Sequence, residues 1–241
     1  MNTLLLRTTG LRAFPRIFTT RVYLRCYTVA GKDDNPVPSE LRDSPVKSRL
    51  FRFAYWALNS RKAHLEDAAV NLYHSVNDVN MREFFTVCKM PDTFQSFFTI
   101  HLLHFWMCLV RLNKEGDDGA AISKSMSKIF WQDMRDRMGM LGPMKPKVTR
   151  NNRKILDSQF FMDILSYDEA IVSHDIVLAS IMWRKFLSTS DAAKADPVLL
   201  ALLVEYVRKQ VHHLDHISSE QLLKDGKITW LPLTSDHYSI K

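Results

Sequence analysis

Residues 93–112 read TFQSFFTIHLLHFWMCLVRL, the most hydrophobic stretch in the chain. Apart from Gln95, Ser96, Thr99 and the histidines His101 and His104, it is apolar on nearly every face. Its unbroken part is shorter than the roughly 20 apolar residues that a membrane-crossing helix requires. The stretch therefore predicts a buried central helix. Downstream, Asn113 to Gly119 carries two glycines and three acids and reads as a loop. Ile122, Met126, Ile129, Phe130, Met134 and Met138 then form the stripe of an amphipathic helix, ended by Gly139, Gly142, Pro143 and Pro146. Helices are expected over 155–165 and 175–187. The clearest runs from Pro197 to Leu214, with Leu200, Leu203, Val204, Val207, Val211 and Leu214 on one face and a Glu205–Lys209 pair four apart on the other. Upstream, LFRFAYWAL (50–58) reads as a first helix interrupted at Asn59-Ser60, with a second from Ala63 to Val79. Asp225-Gly226 is a turn, and Lys227 to Leu233 is the one candidate strand. The fold class is all-α, a single helical domain of about seven or eight helices with a possible short C-terminal strand.

The chain has 241 residues, enough for one domain with a substantial core. Its 46% hydrophobic, 24% charged composition excludes a wholly disordered chain. Seven glycines form neither a G-x-G-x-x-G nor a G-x-x-x-x-G-K string, so the common phosphate-cradling loops are absent. Cys26, Cys88 and Cys108 contain no C-x-x-C pair, which suggests neither a disulfide framework nor a cysteine zinc site and fits a reducing compartment.

The net charge of +7 is unevenly spread. Arg7, Arg12, Arg16, Arg21 and Arg25 lie in an acid-free first thirty residues, interleaved with leucines, phenylalanines and threonines. This composition is that of a mitochondrial transit peptide, with cleavage expected after Tyr27. A basic amphipathic arm on a membrane is the alternative. Residues 1–27 are thus assigned to targeting, 28–46 to a Pro-containing linker, 47–235 to the domain and 236–241 to a tail. A second excess, Lys145, Lys147, Arg150, Arg153 and Lys154, falls within acid-free 139–154 and reads as a basic contact loop. What remains is slightly negative. That loop holds no aromatic, so it lacks the stacking element of a single-strand nucleic-acid reader, and phosphate, anionic lipid and plain solvation stay open. No sequence-specific nucleic-acid binding is expected.

His101 and His104 lie three apart on the central helix and project about 60° from one another. They offer two metal ligands without a visible third, and they cannot approach one haem from opposite faces. The alternative is a pair of core histidines bonded to an acid such as Asp92 or Asp168. His212 and His216 have metal-compatible spacing, but the H-E-x-x-H context is missing and a solvated face accounts for them. Cys88 and Ser96 lack the strand–turn–helix elbow of a nucleophile. Asp117-Asp118 and Asp168-Glu169 sit in turn-like contexts where capping or solvation suffices. No catalytic constellation or cofactor site emerges. A metal- or haem-binding protein or enzyme using His101/His104 and His212/His216 is the rival to a protein that works through contacts.

Four strings go further than periodicity. FFTVCKMPDTFQSFFTIHLLHFWMCLVRLNKEG (84–116), IFWQDMRDRMGMLG (129–142), YDEAIVSHDIVLASIMWRKF (167–186) and LLVEYVRKQVHHLDHI (202–217) occur in order. Together they resemble the ubiquinol-cytochrome c chaperone family, mitochondrial assembly factors for respiratory complex III. The resemblance is carried by Pro91, Asp92, Phe94, Phe98, His101, Trp106, Arg111, Trp131, Asp133, Tyr167, Asp168, Trp183, Arg184 and Tyr206, which serve as fold-defining or partner-facing positions. It implies a non-enzymatic, all-helical protein that acts with a small partner chaperone on newly made cytochrome b. It also implies the matrix side of the inner membrane, in peripheral contact with it and near the mitochondrial ribosome. Five methionines, Met126, Met134, Met138, Met140 and Met144, cluster before and into the basic segment, as core filling or as an adaptable client surface.

Overall fold

The computed structural model describes residues 45–143, 145–188 and 196–234, with side chains from residue 60 onward. The expected transit peptide (1–27), nearly all of the linker, Met144 and the tail (236–241) lie outside the described residues. Within them the elements are α1 (Pro45–Asn77), α2 (Met81–Val87), α3 (Phe94–Leu112), α4 (Gly116–Met140), α5 (Pro146–Val172), α6 (Asp175–Met182), α7 (Pro197–Asp215) and α8 (Ser219–Lys224). The class is all-α.

The stretch that opened the sequence is the hub. Thr93 begins α3 with an extended backbone, and its hydroxyl accepts the Ser96 amide at 3.2 Å, satisfying one of the orphan donors of the first turn. From Phe98 to Leu109 every residue is buried. That burial has a simple cause, because α1, α2, α4, α5 and α7 all contact this one helix. At its centre Phe130 of α4 packs on Phe105 (4.7 Å between ring centres), Phe160 (5.4 Å) and Phe98 (6.0 Å). Met126, Met134 and Met138 fill this core from the α4 stripe, while Met140 is exposed.

Several expectations need correction. Asn59-Ser60 does not break a helix: α1 is continuous from Pro45, because each residue costs well under 1 kcal/mol of propensity and strong helix formers flank both. Its first turn also absorbs the last two residues assigned to the linker. Asn113–Gly119 is not an open loop but a 3₁₀ turn (Asn113–Glu115) leading directly into α4. The basic segment is not a loop either. Pro146 presets the backbone for the first turn of α5, and nothing from Lys147 to Ile155 breaks it, so Lys147 to Lys154 ride on a helix. Asp168 and Glu169 lie inside that helix rather than in a turn. The expected 175–187 helix is α6 continued by a π-helical turn, Trp183–Leu187.

No strand occurs among the described residues. Lys227 to Leu233 is extended, but its polar groups are met by helix side chains instead of a second strand. Ser75 Oγ accepts the Ile228 amide (3.3 Å), the Gln210 amide both donates to the Leu231 carbonyl (2.7 Å) and accepts its N–H (3.3 Å), and Glu83 accepts the Leu233 amide (2.8 Å). A segment so satisfied has no need of a β partner. It turns onto the core at Gly226, whose backbone is left-handed (φ +61°) and lies against the Ala68 carbonyl.

Candidate functional site

Motif residues of α4, α5 and α7, joined by Tyr73 of α1, converge on α3. Tyr73 of α1 donates its hydroxyl proton to Asp133 Oδ2 of α4 at 2.8 Å, and His101 Nε2 lies 3.1 Å from the same hydroxyl. Since Tyr73 has one proton to give, His101 carries its own on Nε2 and donates it to Tyr73. Its Nδ1 is then a buried acceptor without a partner. Asp133 in turn receives Arg137 Nε at 2.9 Å, and the Arg137 guanidinium lies 4.3 Å from the Phe97 ring centre. One polar chain thus ties α1, α3 and α4.

A second chain ties α3 to α7. His104 Nδ1 donates to the Ile100 carbonyl (2.7 Å), which fixes the tautomer, and Nε2 accepts from the Tyr206 hydroxyl (2.6 Å). Phe84 and Trp230 close around the ring at 5.5 and 4.7 Å. The partners of both histidines are therefore tyrosines, not Asp92, which is exposed, or Asp168, which accepts the Trp106 indole N–H at 2.8 Å and ties α3 to α5. Burial holds both rings neutral, with His101 lowered to about 3 and His104 to about 4. The same burial raises the hydroxyls of Tyr73, Tyr167 and Tyr206 and pushes the Cys88 thiol up to about 12.

Arg111 makes the third tie. Its Nε donates to the Leu214 carbonyl (3.0 Å), one terminal nitrogen to Ile217 (2.7 Å) and the other to Glu115 (2.5 Å), which also accepts the Ser219 hydroxyl at 2.9 Å. The guanidinium closes the C-terminus of α7, where free carbonyls attract a cation. Asp163, fully buried on α5, pairs with Lys185 of the π-helical turn and accepts Gln159 at 3.4 Å.

Other motif positions do not join. Pro91 and Asp92 are exposed ahead of the α3 cap, Trp183 and Arg184 face outward, and Phe94 is half-buried against Phe98. Trp131 packs on Phe160, and neither its indole nitrogen nor the Tyr167 hydroxyl has a hydrogen-bond partner. The five cations Lys145, Lys147, Arg150, Arg153 and Lys154 are all exposed. His216 donates Nδ1 to the His212 carbonyl (2.7 Å) and the two rings lie 4.4 Å apart. Among the described residues no three His, Cys, Asp or Glu side chains are grouped to hold a metal. Tyr73, Glu115, Asp163, Lys185 and Gln210 were not singled out in the sequence. Gln210 had a signal, a polar residue three after Val207 on an otherwise apolar face. Glu115 had one as well, standing four residues after Arg111, whereas Tyr73, Asp163 and Lys185 met their partners across the chain only through tertiary folding.

Chemically, the arrangement is a set of clamps. Its histidines are neutral and their nitrogens, save one, are engaged by protein groups, so the centre positions helices and leaves contact work to the surface. These features define an all-helical protein whose recognised motifs hold one central helix. The ubiquinol-cytochrome C chaperone family profile matches residues 86–230, the span from α2 to Trp230 that these clamps pin together, and the chain belongs to that family. It is 41% identical over 215 residues to human ubiquinol-cytochrome c reductase complex assembly factor 1, covering 88% of this chain and 71% of that protein. It is 33% identical to the Drosophila melanogaster protein of the same name, over 82% and 77% of the two chains. The mitochondrial protein CBP3 of Saccharomyces cerevisiae is 25% identical over 62% of this chain and 44% of its own. The crystal structure of the Cbp3 homolog from Brucella abortus superposes with a TM-score of 0.57 at 20% identity, over 77% of this chain and 97% of that one, and shares the fold.

Proposed function

We propose that this chain is a non-enzymatic assembly chaperone for the mitochondrial ubiquinol-cytochrome c reductase complex. It acts with a small partner chaperone on newly made cytochrome b, at the matrix side of the inner membrane and near the mitochondrial ribosome, after an N-terminal segment has delivered it to the organelle. The observation that carries the reading is the family match across the clamped core, supported by relatives whose names state assembly of that complex.

The test is removal of the protein followed by native electrophoresis of the respiratory complexes. Complex III is expected to fall while the other complexes persist. Purification of the tagged chain from mitochondria is expected to bring a small helical protein and cytochrome b. Unchanged complex III after complete removal overturns the reading.

A further inference from the structure

The end of α4 and the start of α5 form an exposed helix–helix corner, here called the tip. Every described residue from Gly139 to Ile155 is exposed except the half-buried Gly142 and Asn152. Two large apolar side chains stand at its crest, Met140 at 82% and Leu141 at 63% exposure. Behind them, Val148 (44%) and Ile155 (55%) project from nearly the same line of α5, seven residues and about 20° apart. They lie to one side of the face that buries Leu156, Phe160 and Ile164. Lys147 and Lys154 each immediately precede one of these two and flank the line, Lys145 stands at the start of the helix, and Arg150 lies on the other side of its first turns. Arg153 has an acid nearby, Asp157, which also stands three residues after Lys154 on the same helix.

Exposed apolar groups beside a run of cations, in a stretch (139–154) without an acid of its own, have a definite complement. A phosphate-bearing nucleic acid rewards the cations, but it leaves Met140 and Leu141 in water and finds no aromatic here to stack upon. A partner helix would use a continuous seam, and the line begun by Val148 and Ile155 does run on to Met162 (62%), but the most exposed pair, Met140 and Leu141, belongs to the end of α4 and lies outside it. A bilayer with anionic headgroups satisfies both parts: the cations meet the headgroups and the aliphatic crest enters the boundary with the acyl chains.

We propose that the α4–α5 tip is a shallow anchor for an anionic membrane surface, with Met140 and Leu141 inserted and Lys145, Lys147, Arg150 and Lys154 on the headgroups. Among the described residues no helix is long and apolar enough to cross a membrane, so an anchor of this kind is peripheral. The inference deepens the proposed placement at the inner membrane and rests on it.

The experiment uses the full chain carrying Cys26→Ser and Leu141→Cys, labelled at position 141 with a polarity-sensitive fluorophore. Cys88 and Cys108 are buried and stay unlabelled. With vesicles of equal parts phosphatidylcholine and phosphatidylglycerol the emission is expected to shift to the blue, and with phosphatidylcholine alone to stay put. Adding Lys145→Gln, Lys147→Gln and Arg150→Gln is expected to raise the lipid needed for half of the shift on the order of 100-fold, at about 1 kcal/mol per cation. Reading the probe at the tip separates this contact from any made by the arginines of residues 1–27. No shift, an equal shift with both vesicles, or a shift produced by ribosomal RNA or by a purified partner protein in place of lipid overturns the proposal. A chain that restores complex III while its position-141 probe stays in water overturns the anchor and leaves the chaperone reading standing.

Discussion

Arg111 on the central helix and Leu214 at the end of α7 are joined by a hydrogen bond of 3.0 Å between a buried guanidinium and a helix-terminal carbonyl. The arginine is 6% exposed and its ion-pair partner Glu115 is 8% exposed, so the cation is desolvated and depends on all three acceptors. Removing one member of such a pair strands the other, at a cost of about 3–5 kcal/mol. Arg111→Ala is expected to lose stability in that range by urea denaturation. Arg111→Lys is expected to recover little of it, because an ammonium lacks the planar fork that reaches Leu214, Ile217 and Glu115 together. A loss below about 1 kcal/mol for either variant refutes the clamp.

Gly226 supplies a second test. Its φ of +61° suits glycine, and a Cβ there would meet the Ala68 carbonyl oxygen at 2.2 Å. Gly226→Ala is expected to cost on the order of 2–3 kcal/mol. The extended segment would be pushed away from α1 first, breaking the 2.7 Å bond from the Trp230 indole to the Ser75 carbonyl. A red shift of tryptophan emission before global unfolding reports that release. Unchanged stability and emission would show that the segment does not depend on this close approach.

These two sites differ in how far the sequence revealed them. The α3 stretch announced its burial because it is apolar on nearly all faces, and Pro197 to Leu214 announced one buried face through its period. The tertiary clamps were not readable, since a helix period says which face is buried and not what it meets: His101 finds Tyr73 and His104 finds Tyr206 across gaps of 28 and 102 residues. The supposed strand failed for a related reason. An apolar, turn-preceded segment signals an extended backbone, but whether its amides pair with a strand or with Ser75, Gln210 and Glu83 depends on what the fold brings alongside. The basic segment failed locally, because prolines that end one helix also start the next.

The neutral histidines make stability depend on pH with a definite sign. His101 and His104 have folded pKa values of about 3 and about 4, below the value near 6.5 expected when unfolded. Between those limits the unfolded chain binds more protons than the folded one, so stability is fully present above pH 6.5 and is lost as the pH falls through this window. By pH 5 the loss is about 2 kcal/mol for each histidine. Asp163, whose pKa burial raises, opposes the trend as it takes up its proton. Melting temperature measured from pH 8 to pH 5 is expected to be level above neutrality and to drop below it. A flat profile to pH 5 means that the rings take up protons without disturbing Tyr73 and Tyr206.

Phe130 connects this physical core to the proposed work in mitochondria. It is fully buried between Phe98, Phe105, Phe160 and His101, and truncating such a ring costs about 3–5 kcal/mol in lost transfer energy and cavity. A domain stable by only about 5–15 kcal/mol loses much of its margin, and the steady-state level of the protein falls with it. Phe130→Ala is therefore expected to lower both the abundance of the chain and the amount of complex III, in proportion. Met140→Ser, at an exposed position, is expected to change stability by no more than about 0.5 kcal/mol and to leave abundance intact. Quantitative blotting of the chain beside native gels of complex III checks both. A fall in complex III with Phe130→Ala at undiminished abundance would place Phe130 in direct contact with the assembly process, contrary to its burial.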